Sequence, residues 1–437
     1  MGLKALLIIQ CAILIYFFTG CNHVRKISTQ APINPTQSIA QPIMDKSGTF
    51  FKSLFRENGV MFDSIDGNKE NWNIQIIYTK IDRNKKNDSK LTTYTYNKNP
   101  GYFYPASTVK FPIALLALEK VNELNQKGID KNTTMLTEAA YSGQTPVYND
   151  PNTIDGKPSI AQYIKKIFLV SDNDAANRLY EFLGQEYVNG VLHKKGFKEA
   201  QILHRLGIAL SEAENRHTNP VNFYDGKGKL LYNQPLQYNS GKYISREDQL
   251  GAGYFKDGKL INTPMDFSKK NRISLQSLHE MLIGLISPKN VKAIHRFNIT
   301  DDDRSFVLKQ MSQFPGESLY PSYDTSEYHD AYVKFLFYGS EKGTLPKHIR
   351  IFNKVGNAYG QLVDVAYIAD LRNNIEFFLS AAITCNADGI LNDDKYDYDT
   401  IGFPFLKNIG QAVYKYELKR IKKVLPDLST FTFSYDK

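Results

Sequence analysis

The run Tyr104-Pro105-Ala106-Ser107-Thr108-Val109-Lys110-Phe111-Pro112-Ile113-Ala114-Leu115-Leu116-Ala117-Leu118 decides how this chain is read. An apolar stretch this long and this rich in Ala and Leu forms a helix, which Ser107 is expected to begin. A Ser and a Lys three residues apart then share one helical face, within hydrogen-bond reach of each other. A neutral hydroxyl is a poor nucleophile until an adjacent base takes its proton, so the pair suggests chemistry. Taken singly it is weak. A chain this long holds about one or two S-x-x-K matches by chance. A Ser at a helix start is most often an N-cap, and a lone Lys on a helix face is most often solvated.

Two further stretches follow in order. Ser171-Asp172-Asn173 lies 64 residues beyond Ser107 and opens a helix-like segment through Tyr180. Its apolar lead-in, Ile167-Phe168-Leu169-Val170, is expected to bring Ser171 and Asn173 beside the first helix. By itself the triplet reads equally well as a turn. Lys354-Val355-Gly356 closes the strand-like Ile349–Asn353 and continues through Asn357-Ala358-Tyr359-Gly360 to Asp364-Val365-Ala366. K-x-G recurs at Lys194 and Lys256, so the strand before it and the residues after it carry the specificity.

With the three in this order, the chain resembles the class A β-lactamase and penicillin-recognising serine hydrolase superfamily, whose motifs are S-x-x-K, S-D-N and K-T-G. The resemblance spans roughly residues 50–425, with insertions. It implies an α/β chain with α+β layering: an antiparallel sheet flanked by helices, plus an all-helical subdomain. It implies that Ser107 attacks a carbonyl and forms an acyl-enzyme. Lys110 is then the general base, provided its pKa is depressed, and Ser171 passes a proton to the leaving nitrogen. Asn173 holds the substrate's side-chain amide, and Lys354 supplies charge for a substrate carboxylate. Gly356 joins them as part of the third motif, and the backbone N–H groups of Ser107 and Asn357 form the oxyanion hole. The implied activity is β-lactamase-type hydrolysis of a cyclic or peptide amide. Alternatives are a penicillin-binding DD-peptidase or amidase of cell-wall peptides, and a non-catalytic envelope protein on the same fold.

Two departures from the family pattern bear on turnover. Val355 stands where Thr or Ser is usual, and valine cannot donate a hydrogen bond. Either the substrate lacks the carboxylate that this hydroxyl binds, or another group supplies the contact. The deacylating Glu-x-x-x-Asn pattern is missing between Arg205 and Pro220, and His217 stands where the family pairs an Asp with the preceding Arg. Glu212 and Glu214 are the candidates for activating water, although Ser211-Glu212-Ala213-Glu214 also fits a capping box.

The N-terminus concerns location. Lys4 precedes an apolar run from Ala5 to Phe18, then Thr19-Gly20-Cys21. This is signal-peptide anatomy and resembles a bacterial lipobox, with Phe18 where Leu is usual. The run is shorter than the about 18–20 residues of a spanning helix. Residues 1–20 are expected to be a lipoprotein signal peptide, Cys21 the lipidated residue, and 21–46 a Gln-, Pro- and Ser-rich tether. That places the protein outside the cytoplasm, lipid-anchored in the cell envelope. Residues 47–437 are expected to form one domain, with inserts near 223–265 and 297–347. Hairpin signals stand at Asp225-Gly226 and Asp257-Gly258.

Strands are expected at 73–82, 91–96, 365–368 and 375–384, with helices near 49–55 and 405–421. Cys385 remains as a buried apolar residue with no disulfide partner. The eight histidines show no metal-ligand spacing, and no metal or cofactor is expected. A net charge of +9 spread over 437 residues reads as a solvated lysine-rich surface rather than a nucleic-acid module. The expected partners are a small-molecule β-lactam or cell-wall peptide and, through the lipid, a membrane; the protein is expected to be a monomer.

Overall fold

The computed structural model describes residues 46–59, 62, 72–97, 101–125 and 128–437. The expected signal peptide, Cys21 and all but the end of the tether lie outside the described residues. Five strands build the central sheet: β1 (Gln75–Arg83), β2 (Ser89–Tyr96), β3 (Ile349–Ala358), β4 (Gln361–Asp370) and β5 (Ile375–Thr384). Their order is β3-β4-β5-β1-β2 and every pairing is antiparallel. Gln75 faces Ala382 and Ile77 faces Ser380, so the two ends of the sequence meet in the middle of the sheet. β4 and β5 read as nearly unbroken apolar runs because both faces of the sheet are covered.

One face, carrying Ile76, Tyr78, Phe377 and Leu379, packs on α1 (Lys46–Glu57) and on Leu406 and Ile409 of α7 (Phe403–Lys419). The other face carries Ile77, Phe352 and Val365 and packs on the helical region. That region contains α2 (Lys110–Leu124), α3 (Ile160–Val170), α4 (Asn173–Leu183), α5 (Leu275–Ile286) and α6 (Asp301–Ser312). An antiparallel sheet with helices on both faces, and helices grouped into their own layer on one of them, is the α+β arrangement expected from the motif order.

Two boundaries differ from the sequence reading. Ser107 does not open the long helix: Ala106–Val109 form a 3-10 turn, and α2 begins at Lys110. Pro112 lacks an N–H and fits only the first turn of a helix, which sets the start of α2 two residues before it. The third motif does not close its strand either. Lys354–Ala358 pair with Gln361–Val365, and the hairpin turns at Tyr359 (φ 52°) and Gly360 (φ 74°). Consecutive positive φ values are those of a two-residue hairpin turn that matches strand twist.

Within 223–265, Val221–Tyr224 and Leu230–Gln234 form one hairpin across Asp225–Lys229. Gly253–Lys256 and Lys259–Ile261 form another, turning at Asp257-Gly258. Within 297–347 lie α6 and a long loop that returns across the edge of the sheet. Cys385, one residue past β5, is fully buried, and burial pushes its thiol far above the usual range. Among the described residues no helix is long and apolar enough to cross a membrane.

Candidate functional site

The three motifs meet where β3 crosses the turn that carries Ser107. Gly356 permits the approach. A Cβ added there would stand 2.6 Å from the Pro105 carbonyl oxygen, 3.0 Å from Ser107 N and 3.1 Å from Thr108 N, so only a residue without one lets strand and turn touch. The second motif arrives at a helix junction. Ser171 ends α3 in the left-handed region (φ 59°), and the Asp172 carboxylate caps α4 by accepting from Ala175 N at 2.8 Å. Gly207, with φ 69°, closes over Asn173, whose Nδ2 would lie 2.6 Å from an added Cβ.

Lys110 is fully buried. Its Nζ donates to Asn173 Oδ1 at 2.7 Å, to Ser171 Oγ at 3.3 Å and to the Ser171 carbonyl oxygen. The expected hydrogen bond between Lys110 and Ser107 is not formed; Lys110 Nζ is turned instead to the acceptors of the Ser171–Asn173 turn. The Ser107 hydroxyl is half-buried and has no hydrogen-bond partner among the described residues. Lys354, also buried, donates to Ser171 Oγ at 2.8 Å and to the Val355 carbonyl oxygen at 2.9 Å. The Ser171 hydroxyl thus accepts from two amines, and its own proton is left to donate.

Burial moves the amines. It lowers Lys110 to about 7, with Asp172 opposing the fall. It holds Lys354 well below the lysine range, helped by repulsion from Lys110. Two amines sharing one hydroxyl in a dry site disfavour double protonation, so their titrations are coupled.

A network that the sequence reading did not single out lies under β3, on the face opposite Lys354. Asn353 Nδ2 donates to Asp364 Oδ1 and to the Val333 carbonyl oxygen, both at 2.8 Å. Lys334 Nζ donates to Asn353 Oδ1 at 2.8 Å and to the Ile351 carbonyl oxygen at 2.9 Å. Leu336 N donates to Asp364 Oδ2 at 2.9 Å. Burial raises Asp364 to about 6 and lowers Lys334 to about 7. The strand alternation placing Asn353 and Val355 on one face was readable. The arrival of Lys334 from the 297–347 segment was not.

An open cleft of about 770 Å³ runs from Ser107, Ser171 and Asn173 along Val355 and Asn357. Lys354 and Gly356 do not line it. It is also lined by His329, Tyr332 and Ser340 from the 297–347 segment, and by Asp394 and Tyr396 from the loop after β5.

Glu212 and Glu214 are not brought to this cleft. Ser211 N and Oγ donate to Glu214 Oε2 at 2.7 and 2.8 Å, Glu214 N donates back to Ser211 Oγ, and Ser142 donates to Glu214 Oε1. The capping box therefore claims Glu214. Glu212 is ion-paired to Arg216 at 3.0 Å and Lys269 at 2.8 Å, and it lines a neighbouring pocket instead. The hydrogen bond from Lys269 holds the Glu212 carboxyl below its ordinary range, and the Ser211 backbone does so for Glu214. Arg216 pairs with Glu212 rather than with residue 217. The His217 ring stacks on Tyr141 and Tyr238, with centroids 3.7 and 4.6 Å away. Arg205 anchors the loop through Glu181 at 2.8 Å and Asn219 at 3.1 Å. Among the described residues no group of three or more His, Cys, Asp or Glu could hold a metal.

The family model of the beta-lactamase enzyme family matches residues 66–292. That stretch contains Ser107, Lys110, Ser171 and Asn173 and ends before Lys354. No curated protein sequence matches the chain. Among solved structures it is similar to a beta-lactamase from Francisella tularensis, at 17% identity over 82% of this chain and 99% of that one, with a TM-score of 0.44. It is similar to the class A beta-lactamase of Clostridium kluyveri DSM 555, at 14% identity over 82% and 99%, TM-score 0.43. It is also similar to PBP-A, at 15% identity over 83% and 96%, TM-score 0.43.

Proposed function

The chain belongs to the beta-lactamase enzyme family, and on that premise we propose that it is a serine hydrolase that forms an acyl-enzyme at Ser107 from a cyclic or peptide amide. The observation that carries the reading is the Ser171 hydroxyl, held between Lys110 and Lys354 beside the cleft that Ser107 lines. Neutral Lys110 takes the proton from Ser107 Oγ as Oγ bonds to the carbonyl carbon. The oxyanion is met by the backbone N–H groups of Ser107 and Asn357. The carbon–nitrogen bond then breaks, and the proton reaches the nitrogen through Ser171 Oγ, replaced there from Lys110.

The test is intact-mass spectrometry of the full-length protein in detergent with benzylpenicillin, with Ser107→Ala as control. A Ser107-dependent adduct of the drug's mass supports the reading, and none from the drug or from its esters overturns it. A second reading, a penicillin-binding peptidase whose acyl-enzyme persists, is favoured by the engagement of Glu212 and Glu214 elsewhere. An adduct lasting hours supports the peptidase; one that clears while hydrolysed drug accumulates supports a β-lactamase. Export and lipid anchoring at Cys21 belong to the same proposal and rest on the sequence alone. Labelled-palmitate incorporation that survives Cys21→Ser would refute them.

A further inference from the structure

Resting on Ser107 as nucleophile, we propose that this cleft acts on substrates that are neutral over Val355 and carry a cationic amine towards Asp394. Among the described residues, no lysine or arginine lines the cleft. Lys354, the motif residue expected to supply charge, stands behind Ser171 rather than in the lining: it is 3% exposed and donates to Ser171 Oγ and the Val355 carbonyl oxygen. Depression of its pKa further weakens any field it offers to the cleft. Beside it Val355 gives the cleft a methyl surface where a hydroxyl would donate. Across the β3–β4 register from Val355 stands Asp364, in the buried network with Asn353 and Lys334, and the Lys334 amine there is spent on Asn353 Oδ1 and the Ile351 carbonyl oxygen, so the layer beneath the cleft offers no free cation. An anionic substrate group placed there would lose water and gain no cationic partner in the lining.

The same lining holds a group of complementary character. Asp394 is exposed, lines the cleft and has no hydrogen-bond or ion-pair partner among the described residues. Among the described residues it is the only carboxylate in the lining, and burial shifts the His329 imidazole towards its neutral form. Tyr396, Tyr359 and Tyr332 line the same cleft, and aromatic faces attract ammonium groups. Two lysines touch this lining from outside it. Lys270 Nζ lies 5.6 Å from the centre of the Tyr359 ring, and the charge of Lys342 acts on His329. Neither is among the lining residues.

The test compares Ser107 acylation of the full-length protein by benzylpenicillin, its methyl ester and its aminoethyl ester, timed by intact mass. The expected order places the methyl ester roughly 10-fold or more above the free acid, which must desolvate an unpaired carboxylate. The aminoethyl ester should gain about a further 3-fold, the scale of an exposed ion pair. Asp394→Asn should remove the aminoethyl advantage over the methyl ester. Val355→Thr should narrow the gap between methyl ester and free acid. A free acid that acylates as fast as its methyl ester overturns the inference while leaving Ser107 as nucleophile. An aminoethyl advantage unchanged in Asp394→Asn overturns the assignment of the amine site. No Ser107 adduct from any of the three overturns the proposed function, and the inference with it.

Discussion

Replacing Gly356 with alanine asks whether the third motif works by proximity. The added Cβ would stand 2.6 Å from the Pro105 oxygen, 3.0 Å from Ser107 N and 3.1 Å from Thr108 N. All three are backbone atoms, so none can swing aside as a side chain would. Ordinary contact begins near 3.4 Å, and reaching it separates strand and turn by about 0.8 Å. Ser107 N and Asn357 N, the two proposed oxyanion donors, sit on opposite sides of that seam. A misplacement of about 1 Å costs about 100-fold in rate, whereas overpacking of this kind costs about 1–3 kcal/mol of stability. Gly356→Ala is therefore expected to acylate about 100-fold more slowly while remaining folded. Stopped-time intact-mass measurements give the rate, and calorimetry gives the unfolding midpoint. A variant that is destabilised but acylates at the parent rate would sink the oxyanion assignment. One unchanged in both would refute the close approach itself.

Three other expectations concern charge. Burial disfavours the charged form of Lys110, so its folded value of about 7 lies below the ordinary 10.5. Acylation should rise along a limb centred near pH 7 and level off about one unit above it, and a rate still climbing at pH 10 would point to another base. The same sign governs stability. Between about 7 and 10.5, Lys110 and Lys334 are neutral when folded and protonated when unfolded, and Lys354 is shifted the same way. Stability to urea should therefore increase between pH 7 and 9, and a decrease over that window would contradict the burial argument. Glu214→Gln should weaken the cap on its short helix and leave the clearance of any acyl-enzyme nearly unchanged; a large loss of clearance would return Glu214 to the chemistry.

What could be read in advance follows from what each signal measures. The strands at Gln75, Ser89, Gln361 and Ile375 were visible because β-rich apolar runs ended in turn residues. The meeting of Ser107, Ser171 and Lys354 was visible because local context, an apolar helix, a helix junction and a strand, accompanied each triplet. Bond partners were not. Spacing alone puts Lys110 near Ser107, but the amine goes to the strongest acceptors in reach, and these belong to residues 171–173. Nor could spacing decide between two uses of Glu214, since a capping box and a water-activating carboxylate call for the same residue in the same loop. The buried Lys334–Asn353–Asp364 network depends on the 297–347 segment folding back onto β3, which no local pattern encodes. Pairing between β1 and β5 is equally non-local, although the fold implied by the motif order anticipated it.

Cys385 offers something practical. Its thiol lies under Gly402, at the entry to α7, and its backbone accepts from Asp397 N at 3.0 Å. A thiol so far from ionising is silent towards disulfide reagents while the seam is shut. Consumption of that thiol is therefore a clock. Its rate at low reagent concentration reports how often the end of β5 and the start of α7 part company. No label has to be engineered, and the protein's breathing at that corner can be timed separately from turnover at the cleft.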